Sequence, residues 1–393
     1  MTILKTSVLG IEFENPFLLA SAPPTAKIES IDKAFSLGWG GAVLKTITPD
    51  DLEMIEASTR YASWRSGAKV CGFENIEMLS HLTIQEWLDG IKYLKQKYPT
   101  KVQIASIMAP VVKEEWQKMV KTFNHSGADA FELNFSCPHG MPEKGIGMAI
   151  GTHADLSAEI TKWVKEVAEI PVFVKLSPNV TNIVEIAKAV EDAGADGLAA
   201  INTVQSLMGI DLESFEPLPK VNGKSTFGGY SGMAVKPIGL RCVAQLRQHS
   251  KLPILGMGGI STWSDAAEYM TVGADVVQVC TEVMINGYGV IKSMTKGLGD
   301  YLIGKGFNSP AELRDKAIAN LAEHKNLYKK QQVYPDIDAD KCVRCGKCVM
   351  ICDESEYSAL SLENGKIEVN RDKCIGCSLC SHVCPMSAIS MKK

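Results

Sequence analysis

The stretch NHSGADAFELNFSCP, residues 124–138, holds a complete joint between two elements. An amphipathic run ends at Gly127, the letters Gly-Ala-Asp follow, and an apolar run, AFELNFS (130–136), begins. Just upstream, Trp116, Met119, Val120 and Phe123 fall at helical spacing. The reading is helix, glycine stop, then buried strand. The same joint recurs as AGADGL (193–198) and VGADVV (272–277). A joint repeated along one chain marks a repeated supersecondary unit.

Eight apolar runs share this character. PFLLAS (16–21), GAVLKT (41–46), VQIASI (102–107) and AFELNFS come first; PVFVKLS (171–177), GLAAIN (197–202), PILGMGG (253–259) and VVQVC (276–280) follow. Near-continuous apolar runs of this length are strands of a parallel sheet covered on both faces. Between them lie helical patterns such as TNIVEIAKAVEDAG (181–194) and STWSDAAEYMTVG (261–273), the latter opening with Thr262 and Asp265 in capping-box spacing. Eight alternations predict an α/β fold, a (β/α)8 TIM barrel over residues 1–305, in preference to an open doubly wound sheet.

Composition narrows the function. The 41 basic and 45 acidic residues are interspersed and leave a net charge of −4, without the basic face that nucleic acid requires. No apolar run reaches the ~20 residues of a membrane span, and MTILKTSVLGIEF has no signal-peptide core, so a cytoplasmic protein is expected. Of twelve cysteines, eight lie between Cys342 and Cys384, a density that in a reducing compartment points to metal rather than disulfides.

Barrels of this kind gather function at the C-terminal ends of their strands. Those ends carry Ser21, Lys45 and Thr46, Ser106, Asn134 with Ser136 and Cys137, Lys175, Asn202 and Thr203, Gly258 and Gly259, then Cys280 and Thr281. Caps and turns explain any one of them; two lysines and two asparagines at matching positions ask for more. GMGGI (256–260) and the Cys280-Thr281 pair sit where barrels bind phosphate through backbone N–H groups. GGYSG (228–232) lets backbone approach a ligand, and the two lysines place positive charge where a reduced flavin ring becomes anionic. Flavin mononucleotide (FMN) fits these parts. No Rossmann fingerprint is present: GIGMAIG (145–151) has the wrong spacing, so nicotinamide chemistry is expected from a partner.

Past HKNLYKKQQVYPDID (324–338) the composition changes. Residues 306–333 read as a helical or extended linker, and residues 334–393 as a small α+β bacterial ferredoxin-like domain. CVRCGKCVMIC (342–352) and CIGCSLCSHVCP (374–385) are two C-x2-C-x2-C-x3-C runs. Three cysteines of each wrap one [4Fe–4S] cube and the fourth crosses to the other. Cys342, Cys345, Cys348 and Cys384 are expected to hold one cluster, and Cys374, Cys377, Cys380 and Cys352 the second; zinc is the alternative.

The end of the opening stretch can then be read. Asn134, with Asn75 and Asn202, offers donors and acceptors to a flat ring carrying N–H and C=O side by side. Cys137 is placed to exchange a proton on the face opposite a flavin, and HGMPEKGIG (139–147) to close over it.

NFSCPHGM (134–141), FENIEMLS (73–80), NTVQSLMGIDL (202–212), VNGKSTFGGYSGMAVKPIGLR (221–241) and the two cysteine runs resemble the dihydropyrimidine dehydrogenase family. That resemblance implies a dihydroorotate-dehydrogenase-like barrel with FMN, reducing uracil and thymine to 5,6-dihydro forms. It implies Cys137 as general acid, with Asn75, Asn134, Phe135, Ser136, Asn202 and Thr203 at the pyrimidine and Glu77 nearby. The flavin would lie against Ser21, Lys45, Thr46, Lys175, Gly232, Gly258, Gly259, Cys280 and Thr281. An FAD-containing, NAD(P)H-oxidising partner subunit in a hetero-oligomer is implied too. Where dihydroorotate dehydrogenases commonly read Ser-Cys-Pro-Asn, this chain has His139. A dihydroorotate dehydrogenase fused to a ferredoxin domain is the runner-up, and a non-catalytic electron carrier or redox sensor the third reading.

Overall fold

All eight apolar runs form parallel strands in the computed structural model, which describes residues 2–52, 57–77, 79–135, 147–327 and 332–393. They are β1 (Phe17–Leu19), β2 (Gly41–Val43), β3 (Val102–Ile107), β4 (Ala130–Asn134), β5 (Val172–Leu176), β6 (Gly197–Ala200), β7 (Ile254–Met257) and β8 (Val276–Val279). Each pairs with its neighbours in sequence and β8 pairs with β1, so the sheet closes into the expected barrel. The main helices are α1 (Ile28–Leu37), α2 (Ile84–Lys97), α3 (Lys113–Phe123), α4 (Ala154–Lys165), α5 (Ile183–Asp192), α6 (Lys236–His249), α7 (Trp263–Thr271) and α8 (Ile291–Lys305).

The repeated Gly-Ala-Asp joint has a mechanical role. Its glycines, Gly127, Gly194 and Gly273, have φ of 97°, 98° and 116°, a left-handed turn that a Cβ would oppose. Its aspartates each grip the start of the preceding barrel strand. Asp129 accepts the Gln103 N–H, Asp196 the Val172 N–H and Asp275 the Ile254 N–H, all at 2.8 Å. Each also donates its own N–H to the carbonyl of that same residue, at 2.8–2.9 Å. A cation closes each site: Lys95 on Asp129, Lys165 on Asp196, Arg314 on Asp275. Strands β4, β6 and β8 are thus set in register against β3, β5 and β7.

Alternation within the strands then divides the core. In β4, Phe131 and Leu133 face the helices, while Ala130 faces the barrel interior with Leu18, Val43, Ile104, Phe173 and Val276. Because side chains alternate, Glu132 and Asn134 follow Ala130 inward, and Lys175 follows Phe173. The lower interior is therefore apolar and its upper layer polar. The hairpin Thr6–Val8 and Ile11–Phe13 adds Val8 and Phe13 to the apolar layer.

A four-stranded antiparallel sheet, not legible in the sequence, is built from the β2–α2 and β6–α6 connections. Its order is Val204–Ser206, Gly228–Ser231, Lys69–Asn75 and Tyr61–Ser66. Both connections leave strand C-termini, so the sheet stands at the mouth of the barrel.

Two compact units divide at Met1–Asn320 and Leu321–Lys393. The first part of the expected linker packs on the barrel: Leu313 is buried, Arg314 pairs with Asp275, and Arg247 binds Asp315 at 2.7 Å. In the second unit, Tyr334–Ile337 pairs with Ile389–Lys392, and Leu360–Glu363 pairs with Lys366–Val369. Two short helices, Lys347–Glu354 and Leu379–His382, carry cysteines into a small core with Leu360 and Ile389. Among the described residues, no helix is long and apolar enough to cross a membrane.

Asp275 is the most enclosed of the three joint aspartates. Asp275→Ala leaves the Ile254 N–H and Arg314 without their anion and should lower unfolding free energy by about 2–3 kcal/mol, read as a fall in the denaturant midpoint. An unchanged midpoint would show that the register is held elsewhere.

Candidate active site and cluster-binding cavities

The polar upper layer opens into a cavity between strand tips and the antiparallel sheet. Ser21, Lys45, Thr46, Asn134, Lys175, Asn202, Thr203, Gly258, Gly259, Cys280 and Thr281 all line it. Asn75, Glu77 and Gly232 join them from the two long connections. Phe135 does not: its ring is buried edge-on against Trp116, centroids 5.7 Å apart, because, one residue past β4, it alternates outward from Asn134. The expectation of a substrate-contacting Phe135 side chain is corrected accordingly. Ser136 and Cys137 lie outside the described residues.

A relay of hydroxyls and amides crosses the floor. Thr46 Oγ1 lies 3.1 Å from Ser21 Oγ and 3.0 Å from Ser106 Oγ, and accepts the Asn134 amide at 2.9 Å. Asn202 donates to Asn134 Oδ1 at 3.3 Å, and its own Oδ1 accepts the Thr203 N–H at 2.8 Å. From above, Asn75 donates to the Gly229 carbonyl at 3.1 Å. These bonds orient three amides around one space.

Charge is arranged in pairs. Lys175 Nζ stands 3.3 Å from Glu132 Oε1, both almost fully buried, and Gln278 donates to the other Glu132 oxygen at 2.7 Å. Glu132 escaped the sequence reading, although a glutamate two residues before Asn134 inside an apolar strand was the available signal. Lys45 Nζ stands 3.6 Å from Glu77 Oε1, and Tyr61 donates its phenol to Glu77 Oε2. Burial, reinforced by Glu77, pushes the Tyr61 phenol well above its usual range, so it remains a donor. Burial likewise pushes the Cys280 thiol up to about 11 against the pull of Lys45 and Lys175. Cys280 therefore stays neutral at physiological pH, its sulfur 3.7 Å from Met284 Sδ.

At the opposite end the backbone is bare. Gly259 has φ 72°, and a Cβ there would fall 2.6 Å from the Lys236 nitrogen and 2.8 Å from the Gly232 carbonyl. Beside it, Thr281 donates to Ser231 at 2.8 Å. Bare N–H groups beside hydroxyls suit a phosphate. The cavity as a whole suits a group with a phosphate at one end and a ring that gains negative charge near lysines at the other.

Two smaller cavities lie in the second unit. Cys342, Cys345, Cys348 and Cys384 border one, and Cys352, Cys374, Cys377 and Cys380 the other. The two wrapping loops repeat one conformation: Arg344 and Gly376, then Gly346 and Ser378, all have positive φ of 59–70°. Backbone N–H groups of Ala359 and Ala388 reach Cys352 and Cys384 Sγ, each at 3.3 Å, the outer-shell bonds that tune cluster thiolates. In each cavity four thiols surround one space, the arrangement that a four-iron cube needs.

This fold and site define a barrel oxidoreductase coupled to an iron–sulfur module. The family model for dihydroorotate dehydrogenase matches residues 3–302, and the 4Fe-4S dicluster domain matches residues 335–391. The chain belongs to the dihydroorotate dehydrogenase family, whose barrel binds FMN, and its second unit carries [4Fe–4S] clusters. It is 40% identical over 361 residues to the NAD-dependent dihydropyrimidine dehydrogenase subunit PreA of Escherichia coli (strain K12), covering 91% of this chain and 87% of that one. It is 38% identical over 341 residues to the chloroplastic dihydropyrimidine dehydrogenase (NADP(+)) of Arabidopsis thaliana, covering 84% and 80%. Against the catalytic subunit of dihydroorotate dehydrogenase B (NAD(+)) from Pyrococcus abyssi it is 36% identical over 311 residues, 79% of this chain and 98% of that one.

The crossed bordering of the two cavities has a direct test. Cys384→Ala should empty the cavity of Cys342, Cys345 and Cys348, although Cys384 belongs to the other run. Iron should fall from about eight to about four atoms per chain, with the flavin spectrum retained. Complete retention of iron would separate Cys384 from the clusters.

Proposed function

We infer that the chain is the catalytic subunit of a dihydropyrimidine dehydrogenase, reducing the 5,6 double bond of uracil and thymine reversibly. The observation that carries this reading is the carboxylate of Glu77 inside the cavity, held against Lys45 and Tyr61. Orotate bears a carboxylate on the carbon that receives hydride, whereas uracil bears hydrogen. A site that already spends Lys45 on Glu77 leaves a second buried anion poorly paired, at a cost of several kcal/mol. Similarity to the PreA subunit supports the reading, because 361 matched residues exceed the barrel unit and reach into the cluster unit.

Within this reading Gly232, Gly258, Gly259, Cys280 and Thr281 hold the FMN phosphate end, and Ser21, Lys45, Thr46 and Lys175 flank its ring. FMN, when bound, supplies or accepts a hydride. Asn75, Asn134, Asn202 and Thr203, with Ser136, grip the ring amides of the pyrimidine and keep it flat against the flavin. Cys137 gives a proton to C5 as hydride reaches C6; in the reverse direction its thiolate removes that proton. The eight cysteines would hold two clusters, which would supply one-electron transfer from an FAD-containing, NAD(P)H-oxidising partner subunit, making the working enzyme a hetero-oligomer.

Specificity is checked by kcat/KM for uracil, thymine and orotate with one common reductant. Discrimination against orotate should exceed roughly 10³-fold, each 1.4 kcal/mol being about tenfold, and Glu77→Gln should narrow it. Orotate turning over as well as uracil would favour a dihydroorotate dehydrogenase with a fused ferredoxin unit.

The acid is tested separately. Cys137→Ala should keep flavin and iron but lower turnover about 10²–10⁴-fold, with Cys137→Ser recovering dihydropyrimidine oxidation only at high pH, where the hydroxyl can act as the base. Near-normal turnover in the alanine variant would remove Cys137 from the chemistry.

A further inference from the structure

Tyr269, on α7, is fully buried and does not line the cavity, yet it is tied to the cavity wall. Its hydroxyl lies 2.6 Å from the carbonyl oxygen of Gly258 and 3.2 Å from that of Met257. The Met257 carbonyl already accepts the Ile201 N–H at 3.0 Å, so the single phenolic proton goes to Gly258. The ring occupies a slot made of missing side chains. A Cβ on Gly239 of α6 would fall 1.9 Å from the phenolic oxygen, and one on Gly256 would fall 2.9 Å from the ring. A core aromatic needs no such slot for its hydroxyl; a phenol with an assigned acceptor does.

Peptide geometry supplies the consequence. The peptide unit is planar and trans, so its C=O and N–H point opposite ways. A Gly258 carbonyl drawn toward Tyr269, away from the mouth, turns the Gly259 N–H toward the cavity that Gly258 and Gly259 line. Gly258 has φ 120°, and a Cβ there would stand 3.2 Å from both the phenolic oxygen and Ile201. The flipped peptide therefore needs a fixed acceptor partner as well as glycine. We propose that Tyr269 is a positioning residue that aims the Gly259 N–H at the phosphate of the bound flavin. This rests on reading the Gly258–Gly259 turn as the phosphate cradle.

The test uses the full chain freed of flavin and titrated, by flavin fluorescence, with FMN and with riboflavin, which lacks the phosphate. The unsubstituted protein should bind FMN at least about tenfold more tightly than riboflavin. Tyr269→Phe should raise the dissociation constant for FMN about tenfold, the worth of one buried hydrogen bond, and leave riboflavin within about twofold. Gly239→Ala, which crowds the phenolic oxygen from α6, should reproduce the pattern and serves if Tyr269→Phe does not fold. Equal losses for both flavins would assign Tyr269 to general packing and overturn the proposal, as would no loss for either. Riboflavin binding the unsubstituted protein as tightly as FMN would instead remove the cradle reading beneath it.

Discussion

A parallel barrel closes only if each strand starts at a fixed level against its neighbour, and three aspartates hold those levels here. Asp129, Asp196 and Asp275 each make a two-point contact, accepting an N–H and donating one, with a single residue of the preceding strand. A slip of one residue would turn every inward side chain outward. It would bring Phe131 and Leu133 into the interior in place of Glu132 and Asn134. The chemistry at the mouth therefore depends on hydrogen bonds made at the far ends of the strands.

With the register fixed, the interior separates into an apolar lower layer and a charged upper one. The upper layer is costly, since Glu132 and Lys175 are both withdrawn from water. Each is stabilised by the other beside it, and Gln278 donates to the remaining carboxylate oxygen. Such a layer offers a redox ring fixed charges that need not reorganise during the reaction. The Lys45–Glu77 pair adds a second ion pair that faces the same cavity.

The antiparallel sheet above the mouth supplies what strand tips alone do not. Asn75 sits opposite Gly229 and Tyr61 in that sheet, so the register of a second, independent sheet places one of the three amides. Its strands come from connections separated by more than a hundred residues, and only a closed barrel brings those connections together.

Local pattern alone determined a good part of this protein. Hydrophobic period marked eight strands and their helices, glycine and Gly-Ala-Asp marked the joints, and doubled cysteine spacing marked two clusters. Strand-tip logic then named eleven residues that line one cavity. These signals are legible because backbone periodicity and ligand spacing are properties of neighbours in the chain. Tertiary structure alone decided the pairing of Glu132 with Lys175, the sheet that carries Asn75 and Tyr61, and the slot that admits the Tyr269 phenol. It also turned Phe135 into the core, because alternation counted from Asn134 leaves it on the helix side. Each of these joins residues distant in sequence, and their contacts exist only after the barrel has closed.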